Sequence, residues 1–470
     1  MAGIRFARTG AAAAWFLALS ACAIVPGTAP PQAPAPEAWR YVSAPVPAPA
    51  PRPDWWEAFG EPELVRLVET AQRNNPDLEA AVQRIAQAAA DVRAAGATLL
   101  PTVGASGSAA RSGRGTSDSL LASWGSSYQA AFDASYEIDL WGANRAAVGA
   151  ARARVAASVY DRDAAALTLA ADVATTWLQY AALGDQIRTS RATLDIARSI
   201  LEVVETRFRL GAISPLELAQ QRGAVASIEA SIPDLERQRA LTLNSLALLS
   251  GEVPAGFETS APSLSDIRLP VPAPGLPSAL LARRPDIARA EAQLAAADAD
   301  IVQARAAFYP SIRLTAAGGT SSAELASLFR PESIFANLAA GLTAPFFQGG
   351  RLEAGLERTE ARRAELAAIY RRTLLAAFTD VEDVLAAASL LAEVEGAQTR
   401  AAAEAREAYR LAEIRYRAGA IDLLTVLDTQ RSLLSAEDTL IRTRLARHNA
   451  AVGLYRALGG GWSVAGPGSV

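Results

Sequence analysis

The side chains able to carry out covalent or metal chemistry are few in this sequence. Among 470 residues there is one histidine and one cysteine, and all 45 basic residues are arginine. These two residues cannot build a Cys/His zinc cluster, and a hydrolytic triad would need His448, which lies in a helical pattern where packing roles are commoner. Without lysine there is no Walker phosphate loop and no lysine nucleophile. The composition therefore excludes these mechanisms, and we expect a protein that is not an enzyme and needs no cofactor.

The single cysteine, Cys22, stands where a covalent modification is expected. Arg5 and Arg8 precede an apolar stretch too short to span a bilayer, and Leu-Ser-Ala-Cys follows it. This order resembles a bacterial lipoprotein signal, which implies a signal peptide over 1–21 and acylation of Cys22. Ala23 after the cysteine is compatible with anchoring in outer-membrane lipid. An ordinary signal peptide with an incidental cysteine is the alternative.

The net charge and the segment after Cys22 limit the partners further. A formal charge of −4 and an isoelectric point near 5.5 leave no excess positive charge for a polyanion, so we expect no nucleic-acid partner. Prolines crowd the segment 22–53, and this composition favours extended chain over a packed core. The segment is predicted to be a tether.

The body of the chain, from residue 54 onward, contains two tandem repeats. The helix start NPDL at residue 75 returns as RPDI at residue 284. In each copy a proline ends that helix, and an alternating segment, a glycine corner and a very long helical pattern follow, at an offset of about 208 residues. We predict a first repeat over 54–260, a second repeat over 261–459 and a glycine-rich, disordered tail over 460–470.

Each repeat contains a very long helical pattern followed by a shorter one. Alanine dominates these segments, and Leu, Ile and Val recur at spacings of three and four. The long patterns run over 144–210 and 351–418, each about 100 Å at 1.5 Å per residue, and the shorter ones over 215–249 and 423–458. Helices of this length must pack on other long helices, from this chain or from copies of it.

The alternating segments predict strands that cross a membrane. Apolar and polar side chains alternate over 128–138, 312–316 and 337–343, and 102–111 is a weaker copy. Each is about as long as a tilted membrane strand. Four strands per chain cannot close a barrel, and the open edges would leave unpaired backbone amides in the hydrocarbon, which is costly. Strands from several copies of the chain must therefore form one barrel. Three copies supply about twelve strands, and other numbers of copies could also close a barrel. The alternative to membrane strands is a set of soluble hairpins with one face in water.

One short sequence interrupts the helical pattern in both repeats. RFRLGAIS at residue 207 returns as RYRAGAID at residue 415. Gly211 and Gly419 supply the backbone freedom for a turn, and Ser214 and Asp422 are typical of helix starts. The pattern predicts the tips of two helical hairpins. Shared ancestry of the repeats explains the repetition without any function.

Taken together, these features resemble the outer-membrane factors of tripartite efflux pumps. The motifs are DWWEAFGEPEL, NPDL and RPDI, DLWG, APFFQGGR and RYRAGAIDLLTVLDTQR, and they cover nearly all of the mature chain. The branch resembled is that of TolC-like lipoproteins serving resistance-nodulation-division pumps. It implies a mainly α fold with a membrane β-barrel, assembled as a homotrimer with twelve strands and a periplasmic helical barrel.

The resemblance also implies a function and partners. The chain would be a passive exit duct for drugs or other small molecules, located in the outer membrane and extending into the periplasm. A periplasmic adaptor protein and an inner-membrane resistance-nodulation-division pump would open it. The adaptor-contact motif of the family falls on Leu210, Gly211, Ala212, Ala418, Gly419 and Ala420. Small residues there allow close approach by the adaptor's own helical tips.

The periplasmic gate of the family lies just inside these tips. The resemblance places it on Tyr416, Asp428 and Glu217, and Asp422 and Arg417 are further candidates. Thr425 stands where the family has a second carboxylate, and Ile421 stands where TolC has a tip arginine. Asp422, one turn away, and Arg417 are the candidate replacements. A carboxylate ring in a narrow pore concentrates cations and resists anions.

Two other functional classes would make different demands on the sequence. An outer-membrane-anchored periplasmic coiled-coil scaffold would need the helices but not the alternating strands. A lipoprotein hydrolase would need a nucleophile elbow of the form G-x-S-x-G or a metal cluster, and the sequence offers neither. The duct is the interpretation that uses both the strands and the helices.

Overall fold

The fold is described from a computed structural model over residues 36–41, 51–116 and 119–463. The predicted signal peptide and Cys22 lie outside these residues. In chain order the α-helices are α1 (Pro62–Asn74), α2 (Pro76–Ala97), α3 (Ala143–Arg209), α4 (Pro215–Leu249), α5 (Pro277–Leu280), α6 (Pro285–Ala306), α7 (Arg351–Arg417) and α8 (Leu423–Ala457). The strands are β1 (Thr102–Thr116), β2 (Ser119–Ile138), β3 (Ser311–Ser322) and β4 (Ile334–Thr343).

The order of these elements repeats within the chain. The series α2, β1, β2, α3 and α4 is followed, after the short α5, by α6, β3, β4, α7 and α8. Helices α2 and α6 both have 22 residues, α3 and α7 both have 67, and α4 and α8 both have 35. The prediction of a mainly helical fold with strands, built from two tandem repeats, is confirmed.

Proline and polar capping residues explain where the repeats begin. The side chain of Asn75 accepts hydrogen bonds from the N–H groups of Asp77 at 2.9 Å and Leu78 at 3.2 Å, and Pro76 opens α2 where no N–H is needed.

The long helices begin and end within one residue of their predicted limits. Among the helices of the described ranges, none combines the length and the apolar composition that a bilayer crossing requires.

The four strands form one antiparallel sheet in the order β1-β2-β3-β4. Strands β1 and β4 lie at its edges, so each has one side without a strand partner within the described chain. β1 has 15 residues and β2 has 20, both longer than the alternating segments predicted. The pairing of β1 with β2 continues through glycine and serine residues that carry little alternation of their own.

The register of the sheet separates apolar from polar side chains. One face carries these exposed apolar residues: Val103, Phe132, Ile138, Leu314, Ile334, Leu338 and Leu342. The other face carries polar pairs. Ser106 donates to the Asp133 carboxylate at 2.8 Å, and Arg313 forms an ion pair with Glu137 at 3.1 Å. The predicted alternation is confirmed, and nothing else in the described chain buries most of these apolar side chains.

The described chain divides into two compact units. One contains the four strands and comprises 84–158 and 290–370, and the other lies within 32–83, 159–289 and 371–470. In the first unit the corners of the two repeats meet. The Trp141 ring stacks on the Tyr309 ring at 4.7 Å, and its Nε1 donates to the Pro310 carbonyl at 2.7 Å. The DLWG and FYP sequences therefore hold β2 and β3 in place together.

The second unit has an aromatic-rich core. Its largest fully buried side chains include Phe59, Leu64, Leu67, Trp177, Leu178 and Leu246. Trp55 stacks on Tyr455 at 5.1 Å, which brings the start of the body against the end of α8. His448 is also buried, donates to the Leu264 carbonyl at 3.2 Å, and burial lowers its pKa to about 4. A neutral imidazole held in this way is a packing residue, as the sequence indicated.

Two tryptophans pack in segments whose composition predicted no core contacts. In the predicted tether, Trp39 is buried and its Nε1 donates to the Gly275 carbonyl at 2.9 Å. In the predicted tail, Trp462 donates to the Asp163 carboxylate at 2.8 Å. A single indole offers a large apolar surface that the average composition of a Pro- or Gly-rich segment conceals. The rest of the tail, 464–470, lies outside the described residues.

Candidate functional site: the paired helix turns

The turn after α3 has a defined C-terminal cap. Gly211 adopts a left-handed conformation with φ of 70°, its N–H donates to the Phe208 carbonyl at 2.9 Å, and the Ala212 N–H donates to the Arg207 carbonyl at 2.9 Å. This pair of bonds is the Schellman motif, which satisfies carbonyls that the helix itself leaves open. The glycine is required because only glycine adopts this φ without strain.

The turn after α7 repeats this cap. Gly419 has φ of 74°. The two bonds run from Gly419 to the Tyr416 carbonyl at 2.9 Å and from Ala420 to the Arg415 carbonyl at 2.8 Å. A Cβ atom added to either glycine would meet no atom of the described chain within 4 Å, apart from those of its own chain neighbours. The two glycines are therefore needed for their backbone conformation, and the space beside them is open.

All six residues of the predicted adaptor-contact motif lie on these two turns and are exposed. They are Leu210, Gly211, Ala212, Ala418, Gly419 and Ala420. The structure thus brings each set of three together at a helix end. Leu210, Leu216 and Leu424 are large apolar side chains exposed in or just after the turns.

Two of the predicted gate carboxylates cap the helices that leave the turns. Glu217 forms a capping box with Ser214: its N–H donates to Ser214 Oγ at 3.3 Å, and its carboxylate accepts from the Ser214 N–H at 2.8 Å. Asp422 accepts from the Thr425 N–H at 2.9 Å and from its hydroxyl at 2.6 Å. The Thr425 hydroxyl and N–H lower the pKa of Asp422. The two carboxylates therefore fix the directions of α4 and α8, the return helices that follow the turns.

Tyr416 is buried at the end of α7 and is held by an arginine of the first repeat. The guanidinium carbon of Arg207 lies 4.6 Å from the centre of the Tyr416 ring. The same guanidinium donates to the carbonyls of Tyr416 at 2.8 Å and Arg417 at 3.0 Å. Burial raises the pKa of Tyr416, the Arg207 charge opposes this rise, and the Glu217 charge adds to it. Arg207 thus combines a cation–π contact with neutralisation of a helix C-terminus.

Arg417 and Asp428 have other partners. Arg417 pairs with Glu413 at 2.9 Å and donates to the hydroxyl of Ser199 on α3 at 3.1 Å. Asp428 is exposed and pairs with Arg431, three residues further along α8, at 3.1 Å. Within the described chain the predicted gate residues therefore form separate contacts and do not make one cluster.

An apolar cluster joins the two helical hairpins beside the turns. Its buried members are Ile200, Val204, Leu218, Tyr409, Ala412, Tyr416, Leu423, Val426, Leu427 and Leu433. These residues come from both repeats, so the hairpins pack on each other through it. The hydroxyls of Tyr409 and Tyr416 are buried there without a hydrogen-bond partner among the described residues.

Three residues that hold the turns receive no role from the sequence alone. Arg207 belongs to the repeated sequence, and Ser199 and Glu413 lie outside the motifs. The usable signal was the arginine pattern: RFR and RYR place two cations in the last turn of each long helix, where they complement the negative end of the helix dipole.

Comparisons with known proteins fit this architecture. The model of the family described as Outer membrane efflux protein matches residues 67–252 and 276–460, one segment in each repeat. The chain is 43% identical over 453 residues to the pyoverdine export outer membrane protein OpmQ of Pseudomonas aeruginosa, covering 95% of each chain. It is 34% identical over 457 residues to the toluene efflux pump outer membrane protein TtgI of Pseudomonas putida, covering 95% of this chain and 97% of that protein.

A solved structure shows the same fold. The open state of the Neisseria gonorrhoeae MtrE outer membrane channel superimposes with a TM-score of 0.82 at 31% identity, covering 94% of this chain and 98% of that one. The coverage takes in both repeats. The match therefore includes the sheet, the long helices and the turns.

Proposed function

The chain belongs to the outer membrane efflux protein family, and we propose that it is the passive exit duct of a tripartite export system, assembled as a homotrimer. Family membership makes it an outer-membrane efflux protein. The finer proposals concern its assembly, its anchor, its partners and its gate. The relatives' names assign pyoverdine to OpmQ and toluene to TtgI, so small molecules are the proposed class of cargo.

One observation carries the proposal: the four-stranded sheet exposes an apolar face and leaves two edges open. In hydrocarbon each unpaired backbone group costs several kcal/mol, so a sheet with open edges is not viable in a bilayer. Pairing β4 of one copy with β1 of the next removes both edges. Three copies give twelve strands, an even number within the range of bacterial outer-membrane barrels.

The partners follow from the exposed turns and from the sequence at Cys22. The six small or apolar residues of the turns provide the surface that a periplasmic adaptor's helical tips would contact. The chain would hydrolyse nothing, since a resistance-nodulation-division pump in the inner membrane would supply the energy. Acylation of Cys22 would add a lipid anchor in the outer membrane.

The assembly can be tested directly. Purified full-length protein in detergent is expected to have the mass of a trimer and to conduct ions when inserted into planar bilayers. Removing residues 1–22 is expected to leave the need for detergent unchanged, because the apolar face of the sheet remains. A water-soluble, non-conducting product would contradict the duct and favour the coiled-coil scaffold.

We propose further that Asp428 of each subunit contributes a carboxylate ring to the closed gate. Asp428→Ala is expected to raise the closed-state conductance several-fold and to weaken cation preference, because the ring both anchors the converging helices and attracts cations. Single-channel recording measures both effects. Asp234→Ala is the matched control, since Asp234 is also exposed on a return helix and also pairs with an arginine three residues on, Arg237 at 2.7 Å. Equal conductances for both variants and the parent would reject the gate assignment alone.

A further inference from the structure

The two repeats share their local contacts as well as their element lengths. Arg198 on α3 pairs with Glu229 on α4 at 2.7 Å, and Arg406 on α7 pairs with Glu437 on α8 at 2.6 Å. The two arginines are 208 residues apart in the sequence (406 − 198), and so are the two glutamates (437 − 229). An offset of 208 therefore maps side chains of the first hairpin onto equivalent side chains of the second.

One contact between the hairpins has no equivalent within the described part of the chain. Arg207 reaches from the first repeat to Tyr416 and to the last carbonyls of α7. Adding 208 to 207 gives Arg415, and subtracting 208 from 416 gives Phe208. The Arg415 side chain is exposed and makes no hydrogen bond, ion pair or ring contact among the described residues. Phe208 is 37% exposed, whereas Tyr416 is 2% exposed.

The surface around Arg415 is also open. Leu411 and Ile414, both on α7 within four residues of Arg415, are exposed. The first-repeat counterpart of Leu411 is Val203, which packs against the apolar cluster between the hairpins. At Leu411 the second repeat therefore leaves exposed a position whose equivalent in the first repeat is partly buried, whereas Thr206, the counterpart of Ile414, is exposed as Ile414 is.

A second contact gives the same mapping independently. Arg417 donates to the Ser199 hydroxyl within the chain at 3.1 Å. The counterparts, at 417 − 208 and 199 + 208, are Arg209 and Glu407. These two residues have opposite charges, so the equivalent contact would be an ion pair. Within the chain Glu407 also pairs with Arg410 at 2.6 Å, so the contact between subunits would share its carboxylate. Charge complementarity and the exposed aromatic residue thus identify the same occupant, the first-repeat turn of another copy of this chain.

We propose that Arg415 caps the first long helix of the neighbouring subunit. This inference rests on the proposed ring assembly, in which the second repeat of one copy lies beside the first repeat of the next. Arg415 stacks on Phe208 of the partner subunit and donates to the carbonyls of Phe208 of the partner subunit and Arg209 of the partner subunit. Those carbonyls lie in the last turn of a helix, where four acceptors lack intrahelical donors. The contact inside the chain and the contact between chains then alternate around the ring.

Cysteine pairs distinguish the two kinds of contact. In trimers treated with a short bifunctional maleimide, Phe208→Cys with Arg415→Cys is expected to give covalent dimers and trimers on a denaturing gel. The matched pair at the equivalent contact within the chain, Arg207→Cys with Tyr416→Cys, is expected to give bridged monomers. Each single substitution is expected to give neither product, which controls for the natural Cys22.

Where removal of the Tyr416 ring impairs folding, a milder set of pairs gives the same readout. Arg209→Cys with Glu407→Cys is expected to link subunits, and Ser199→Cys with Arg417→Cys is expected to bridge one chain. An intact trimer in which both subunit-linking pairs yield only monomers would overturn this inference and leave the proposed duct standing. Parent protein that forms no trimer would overturn both.

Discussion

Arginine in place of Leu338 will abolish assembly of the trimer in the outer membrane. Leu338 lies in the middle of β4 on the apolar face of the sheet, and 82% of it is exposed. On the proposed barrel this face contacts lipid, where an arginine near the midplane of the bilayer costs about 2–4 kcal/mol per site. A trimer pays this cost in each subunit. Fractionation of membranes and the yield of trimer in mild detergent measure the effect.

The neighbouring residue provides the control. Asn337 is also exposed and precedes Leu338, but successive side chains of a strand point to opposite faces. Asn337→Arg therefore adds the same charge at almost the same depth on the polar face, and trimer yield is expected to stay near that of the parent. Normal assembly of Leu338→Arg, or equal loss in both variants, would show that the faces are assigned wrongly.

The helices were predictable because their signals are local. A spacing of three and four marks each apolar stripe, and glycine or proline stands at or near most helix ends. Ser214 followed by Pro215 predicts the start of α4, and Asp422 predicts the start of α8. The structure shows both caps. These signals need no knowledge of the rest of the chain.

The strands were harder because their pairing is not local. Strand β1 is rich in Gly, Ser and Ala, so its alternation is weak, and its last third, 112–116, is not predicted. It extends because its backbone continues to pair with β2, in a register from Thr102 opposite Ser135 to Thr116 opposite Ser119. The order of the strands could be expected from hairpins, but their lengths come from this pairing.

The site was predicted in position and only partly in its contacts. The turns and their glycines follow from the repeated sequence, whereas the hold of Arg207 on Tyr416 joins residues 209 positions apart. No periodicity reports a contact of that kind. Glu217, a gate residue by resemblance, and Asp422, a candidate one turn from Thr425, are in this chain first of all helix caps. Their part in a gate remains a proposal that depends on how subunits converge.

Tryptophan in place of Gly419 is expected to abolish export while leaving the trimer intact. The space beside this glycine is empty within the chain, so an indole there meets no atom of its own subunit at Cβ. It would stand instead where the adaptor is proposed to dock. A steric block that costs the adaptor contact more than about 1.4 kcal/mol lowers its affinity more than tenfold. Accumulation of a fluorescent pump substrate in cells, compared with trimer yield, measures the two effects separately.

Backbone strain must be separated from bulk, since any side chain at a φ of 74° costs roughly 1–2 kcal/mol. Gly419→Ala carries that strain with almost no bulk and is expected to keep most of the export. Gly256→Trp carries both strain and bulk at a φ of 89°, with open space around its Cβ, but in the loop after α4. It is expected to export normally. Loss in Gly419→Ala equal to that in Gly419→Trp would assign the effect to the turn's conformation, and normal export by Gly419→Trp would remove the turn from the adaptor interface.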